Sequence, residues 1–129
     1  PDNMQIDPRY GDVVSEVKAW FKMKISELSQ AGVKDVILDP GFGFGKTLQD
    51  NYSILNNLKS LNSFGLPVLA GLSRKSMITK VVMREPSEAL NGTSALNAIA
   101  LHNAAIFLRV HDIAEAREVL LLHNHLCNS

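Results

Sequence analysis

Cysteine is almost absent from this sequence: the 129 residues contain one, Cys127. A single thiol cannot close an internal disulfide, which excludes a disulfide-stapled scaffold and suits a reducing, cytoplasmic setting. Long apolar runs are missing as well, and none approaches the roughly 20 residues needed to cross a bilayer. The first residues, Pro1-Asp2-Asn3-Met4-Gln5, have neither the basic-then-apolar form of a signal peptide nor an initiator methionine. The natural start is therefore expected to lie elsewhere. Excess charge of either sign is lacking too: 13 Lys and Arg balance 13 Asp and Glu. Long-range attraction to nucleic acid or to an acidic membrane has no support in that balance. What is present is an apolar fraction of 46%, enough for the core of one ordinary domain.

Punctuation and periodicity divide the chain into a helix followed by three strand–loop–helix units. Residues 1–11, with Pro1, Pro8 and Gly11, read as a loop. Asp12 can cap a helix carrying Val14, Val17, Phe21, Ile25 and Leu28 at three- and four-residue spacing, and Gly32 ends it. Val36 to Leu38 reads as a short buried strand. Thr47 and Asp50 form a capping-box-like pair before a helix whose apolar face is Ile54 or Leu55, Leu58 and Leu61. Gly65 breaks it, and Leu66 to Ala70 form the next strand. A helical turn follows near Met77 to Met83. Pro86 and Gly92 punctuate the connection, and Ser94 can cap a helix through Leu96 and Ile99. Ile106 to Val110 is the third strand, after which Asp112 and Glu115 cap a last helix through Ile113, Ala116, Val119 and Leu120.

Asp39, Ser73 and His111 follow the three strands at intervals of 34 and 38 residues, close to one βα unit each. Crossovers between parallel strands share one hand, so the three strand ends emerge on one side. Asp39, Lys46, Ser73, Arg74, Lys75, Arg109 and His111 gather there. Alternation along the last strand puts Phe107, Arg109 and His111 on one face and Leu108 and Val110 on the other.

Each motif carries two readings. Asp39 can accept two N–H bonds from the edge of an aminopyrimidine-like ring, or serve as the turn former before Pro40-Gly41. Gly41-Phe42-Gly43-Phe44-Gly45-Lys46-Thr47 is not a P-loop, because Pro40 stands where the first glycine of that motif belongs. It is not a dinucleotide fingerprint either, since Lys46 holds the place of the last glycine. The loop is either a flexible link over a packed Phe42 or a support for an exposed Phe44 ring on which a flat ligand stacks. Ser73-Arg74-Lys75-Ser76 is a solvated basic loop or an anion and carbonyl site beside a helix start. An inward Arg109 is costly unless paired or wet, so Arg109 with His111 is either a diphosphate clamp or a lining ion pair, with Asp112 as an N-cap. The clamp is preferred because two other polar strand ends converge on it. His123-Asn124-His125 with Cys127 is too short and too terminal for a structural zinc site, and no metal site is expected in this chain.

Asp39-Pro40-Gly41-Phe42-Gly43-Phe44-Gly45-Lys46, Ser73-Arg74-Lys75-Ser76 and Arg109-Val110-His111-Asp112, in that order and spacing, resemble the dihydropteroate synthase family. The resemblance runs over the whole chain, with Pro1 to Tyr10 similar to the family's stretch after barrel strand five. It implies an α/β fold, the C-terminal part of a (β/α)₈ TIM barrel, with residues 1–129 holding parallel strands six to eight and their helices. The N-terminal half would be absent and would have to come from elsewhere. The implied transferase reaction, a step of folate biosynthesis and a sulfonamide target, joins 6-hydroxymethyl-7,8-dihydropterin diphosphate to 4-aminobenzoate, releasing 7,8-dihydropteroate and diphosphate.

The resemblance also implies roles. Asp39 would bind the pterin N–H edge and Lys75 its carbonyl side. Phe44 would flank the aminobenzoate ring, with Ser73 near its carboxylate. Arg109 and His111 would hold the diphosphate, so Lys75, Arg109 and His111 are the expected catalytic set. The Mg2+ ion that assists diphosphate binding would take its ligand from the missing half, and the complete enzyme would be a homodimer. Two alternatives stand beside this reading: another pterin-binding barrel, such as a methyltetrahydrofolate methyltransferase, and a pterin- or anion-binding module without turnover.

Overall fold

Helix α1, Val13–Gln30, starts where Asp12 caps it, the carboxylate accepting the Ser15 N–H at 3.1 Å. The computed structural model describes residues 12–129, so the loop expected over residues 1–11 lies outside them. Val13 and Phe21 are buried, and Val14, Val17 and Ile25 pack beside them, as the spacing requires. Leu28, on the same stripe, is exposed. Gly32 follows the helix with a positive φ.

Helix α2, Leu48–Asn56, opens with both bonds of the expected capping box. Thr47 Oγ1 accepts the Asp50 N–H and the Asp50 carboxylate accepts the Thr47 N–H, each at 3.0 Å. Its apolar stripe continues past the helix. Ile54 and Leu55 are buried on α2, while Leu58 and Leu61 are buried on a 3₁₀ helix, Leu58–Phe64, that Gly65 closes. Helices α3 (Ser76–Val82), α4 (Leu90–His102) and α5 (Ile113–Cys127) complete the described set, with a 3₁₀ turn at Pro86–Glu88. The Tyr52 hydroxyl donates to Met77 O, tying α2 to α3, and Asn103 Nδ2 donates to Leu55 O, tying the end of α4 to α2.

Two short parallel strands, β1 (Leu69–Ala70) and β2 (Phe107–Leu108), pair Leu69 with Phe107 and Ala70 with Leu108. Leu38 joins Val68 by one parallel bridge on the other side of β1. The order across the arc is therefore the Leu38 segment, β1, β2, as successive βα units predict. The ladder is shorter than the apolar runs suggested. Val36 and Ile37 bond to no neighbouring strand among the described residues, and Ile37 is exposed. Main-chain bonds form only where Leu38 meets Pro67 and Leu69, and where Ile106 to Arg109 meet Val68 and Ala70. Hydrogen-bonded neighbours, not apolarity, decide how long a strand is. Beneath the ladder, Leu38, Phe42, Leu58, Val68, Leu72, Met77 and Ile78 form the tightly buried centre of the core.

Three features differ from the sequence expectation: one helix start, one cap and one apolar face. Helix α4 starts at Leu90, so Gly92 and Ser94 lie inside it and Ser94 is not its cap. A Cβ on Gly92 would come within 2.5 Å of Ile78 Cγ2, so this glycine lets α4 approach α3 and does not break the chain. Asp112 occupies the N-cap position of α5, but its side chain makes no capping bond. Finally, no residue of α5 is buried: Ile113, Leu120, Leu121, Leu122 and Leu126 are exposed along a helix whose spacing resembles a core stripe.

Candidate substrate-binding site

The three strand ends meet on one side of the arc, and each expected site residue has a bonded partner there. The first strand end turns through Asp39. Its Oδ1 accepts the Gly41 N–H at 2.9 Å, which is the turn-forming reading of this residue. Its Oδ2 accepts from Arg109 Nη1 at 3.0 Å, which places the same carboxylate at the mouth of the arc. The turn-forming reading of Asp39 therefore holds, and its second oxygen stands at the mouth in an ion pair. Gly41, Gly43 and Gly45 all take positive φ, a conformation that side chains resist, which explains their alternation with Phe42 and Phe44. Phe42 is fully buried, whereas Phe44 is 68% exposed, so the loop presents one ring to the core and the next to solvent.

Two lysines hold this loop. Lys46 Nζ donates to Gly41 O at 2.9 Å and to Phe44 O at 3.0 Å. It closes the glycine turn and so acts as a structural clasp. Burial holds its ammonium below the usual lysine range, against the pull of Asp39 and Asp50. Lys75, after β1, reaches back to donate to Phe42 O at 2.6 Å, and its Nζ lies 5.0 Å from the centroid of the Phe44 ring. Its ammonium is also lowered, first by burial and then by the neighbouring Arg109.

Ser73 is buried and meets His111 twice. The His111 N–H donates to Ser73 Oγ at 3.3 Å, and His111 Nδ1 lies 2.8 Å from the same oxygen. Arg109 and His111 both lie just past the end of β2, and they hold different partners: Arg109 pairs with Asp39, His111 with Ser73. Arg109 fits because Gly71 leaves room. A Cβ there would stand 2.5 Å from Arg109 Nη2 and 3.0 Å from its Cζ.

The arrangement is chemically divided. Asp39 and Lys75 offer an acceptor and a donor, as the edge of a pyrimidinone ring requires. Arg109 and His111 offer an anion two kinds of N–H donor, once Arg109 leaves Asp39. Phe44 offers a flat apolar surface beside Lys75.

Asn51 and Thr93 had no signal in the sequence, and neither did the pairing of Arg74 with Asp112. Asn51, buried on α2, accepts the Gly43 N–H at 2.8 Å and donates to Thr47 O at 2.8 Å, so it fixes the loop to the helix. Leaving that loop N–H unpaired would cost about 1–3 kcal/mol. Thr93, buried on α4, accepts the Arg74 N–H. Arg74 and Asp112 form a two-bond ion pair, 3.0 and 2.9 Å long. Each is a polar residue whose partner lies 8 to 38 positions away, where no local motif points.

The described residues do not fit a magnesium ion. No three His, Cys, Asp or Glu side chains among them stand together. The mouth is cationic, with Lys75 and Arg109, and both oxygens of its carboxylate, Asp39, are already engaged. The C-terminal His123 and Cys127 meet each other, Sγ to Nε2 3.5 Å, on an exposed helix end.

Comparison with known proteins places this geometry. The chain is 45% identical to the dihydropteroate synthase of Escherichia coli (strain K12), with 93% of this chain and 43% of that protein covered. It is 41% identical to the Haemophilus influenzae dihydropteroate synthase, over 100% of this chain and 48% of that one. Among solved structures, Yersinia pestis dihydropteroate synthase in a sulfonamide drug complex superposes with a TM-score of 0.90 at 37% identity, covering 98% of this chain and 47% of that one. The Thermus thermophilus synthase superposes with a TM-score of 0.85 at 40% identity, covering 89% of this chain and 47% of that one. The chain thus spans somewhat under half the length of these relatives, and its arc of parallel strands corresponds to part of their TIM barrel. The profile described as pterin binding enzyme matches residues 1–111, a span that contains every expected site residue from Asp39 to His111, and the chain belongs to that family.

Proposed function

We propose that this chain forms the C-terminal half of a dihydropteroate synthase, residues 1–129 supplying strands six to eight. In this reading it contributes the pterin edge, the aminobenzoate flank and part of the diphosphate site. The observation that carries the reading is the Asp39–Arg109 pair, 3.0 Å long, at the mouth of a parallel arc, beside Lys75 and the Ser73–His111 contact. Each member of that pair is the group one end of the substrate needs. A pterin diphosphate replaces the pair with two better matches: ring N–H groups on Asp39 and phosphate oxygens on Arg109. Lys75 then binds the pterin carbonyl side, with the aminobenzoate ring against Phe44 and its carboxylate near Ser73. A sulfonamide would compete for that same flank.

In the reaction, the carbon–oxygen bond at the pterin methylene breaks and diphosphate leaves with the electron pair; the aminobenzoate nitrogen then attacks the methylene carbon and loses a proton to solvent. Arg109 and His111 stabilise the charge that gathers on the leaving oxygen. A magnesium ion would neutralise further diphosphate charge, held by residues outside 12–129. No described helix is long and apolar enough to cross a membrane. Cytoplasmic residence and a homodimeric complete enzyme belong to the same reading.

Asp39→Asn tests it. The change keeps the shape and turns one acceptor into a donor, so an N–H edge would face an N–H. In a complete barrel carrying this chain, calorimetry should show pterin binding reduced about 100-fold, with the melting temperature little changed because the lost ion pair is partly solvated. Normal pterin affinity in that variant would remove Asp39 from the site. Gly71→Ala tests the other end. The added methyl displaces the Arg109 guanidinium, the flexible end of its side chain, so the fold is retained while inorganic diphosphate binds about tenfold more weakly. An unchanged diphosphate affinity would show that Arg109 works from another position.

A further inference from the structure

Arg74 and Asp112 have no role in the reaction as described, yet they lock together the two loops that do. Arg74 takes φ +55, a strained conformation for a residue with a side chain. Its N–H is held by Thr93 Oγ1 at 3.0 Å, and that buried hydroxyl donates in turn to Ala89 O at 2.7 Å. With the backbone set this way, adjacent cations part. Lys75 stays at the mouth against Phe42 O, while Arg74 turns to α5 and also donates to Pro86 O at 2.6 Å. Arg74 Nε and Nη2 meet the two oxygens of Asp112 at 3.0 and 2.9 Å, a planar fork on a carboxylate. Asp112 gives up helix capping for this bond, since its side chain caps nothing on α5. Arg74 holds the Asp112 carboxyl below its ordinary range, so the pair stays charged at neutral pH.

The fork lies one residue from each member of the second contact in the site. Ser73 precedes Arg74, His111 precedes Asp112, and Ser73 Oγ stands 2.8 Å from His111 Nδ1. We propose that the Arg74–Asp112 fork is a positioning pair that sets the loop after β1 against the loop after β2, and so places Ser73 and His111 for the aminobenzoate carboxylate and the diphosphate. This inference rests on the dihydropteroate synthase reading. Lys75 and Asp39 have further anchors of their own, Phe42 O and the Gly41 N–H, which hold the pterin end when the fork is lost.

The experiment uses the complete enzyme and three variants. Arg74→Lys keeps the cation and loses the fork. Asp112→Asn keeps the shape and loses the charge. Asp112→Glu keeps the charge and both oxygens. Affinities for inorganic diphosphate and for the diphosphate-free hydroxymethyl dihydropterin are measured by calorimetry, with KM for 4-aminobenzoate and the melting temperature alongside. In the first two variants diphosphate affinity should fall and KM should rise, each about 10- to 100-fold, while the pterin alcohol binds as before. The double variant should lose no more than the worse single one, and Asp112→Glu should lie nearest the unmodified enzyme. A merely structural role would weaken all ligands together as the melting temperature falls, and that result overturns the proposal. So does an unchanged diphosphate affinity and KM in both single variants. If the unmodified enzyme binds no diphosphate, the reading of the reaction falls and takes this inference with it; if it binds and the variants match it, the positioning role alone falls.

Discussion

Replacing Arg109 with methionine in the complete enzyme should weaken diphosphate binding by about 100-fold or more, the largest loss expected from any single side chain here. Methionine keeps most of the aliphatic length and removes every N–H donor. Among the described residues, the only side-chain bond Arg109 makes is to Asp39, and more than half of the arginine side chain is exposed. An ion pair that wet contributes little to folding, so the melting temperature should move by only a few degrees. Aminobenzoate binding to the product-bound state should change far less than diphosphate binding. Calorimetry separates the outcomes. A large loss confined to diphosphate assigns Arg109 to the leaving group, and an unchanged diphosphate affinity leaves it as a lining partner of Asp39.

The second large effect concerns what residues 1–129 do alone. The ladder holds only two residues per strand, and both sides of the arc are open among the described residues. On one side Trp20, Val33 and Ile37 are exposed; on the other Ile106, Phe107 and Ile113. Helix α5 buries no residue at all. An open parallel sheet with apolar faces on both flanks associates with whatever covers it. The chain alone is therefore expected to self-associate, aggregate or stay partly unfolded. A polypeptide carrying the remaining strands should convert it to a soluble species with a sharp, higher melting transition. Light scattering and circular dichroism would show the conversion. A dilute, monomeric, cooperatively melting chain would mean that these surfaces need no cover.

Legibility from sequence followed the range of the interaction. Helix α1 was readable because its cap, stripe and stop all lie within three or four residues of one another. The capping box of α2 was readable for the same reason. The convergence of the polar strand ends was readable because a polar residue at the end of an apolar run is conspicuous, and the structure brings Asp39 to Arg109 and Ser73 to His111 from 70 and 38 residues away. Strand lengths were not readable, since Val36 and Ile37 are as apolar as Leu38 but have no bonded strand neighbour among the described residues. Gly92 reads as punctuation in the sequence because its reason, contact with Ile78, is tertiary. The leucines of α5 show a core pattern without a core. The division of labour among the basic residues was hidden as well. Lys46, Arg74 and Lys75 look alike in sequence, yet Lys46 clasps the glycine turn, Arg74 locks two loops and only Lys75 lies beside the exposed Phe44 ring.

The central claim is that these strand ends are one part of a synthase site completed by the rest of a barrel. The direct test is to incubate dihydropterin diphosphate, 4-aminobenzoate and magnesium with this chain, with a polypeptide carrying strands one to five, and with the two together. Dihydropteroate and released diphosphate are followed by mass spectrometry. The account predicts both products in equal amounts from the combined barrel, and neither from either part alone. A soluble, folded combination that forms no dihydropteroate, or unaided turnover by residues 1–129, would contradict it.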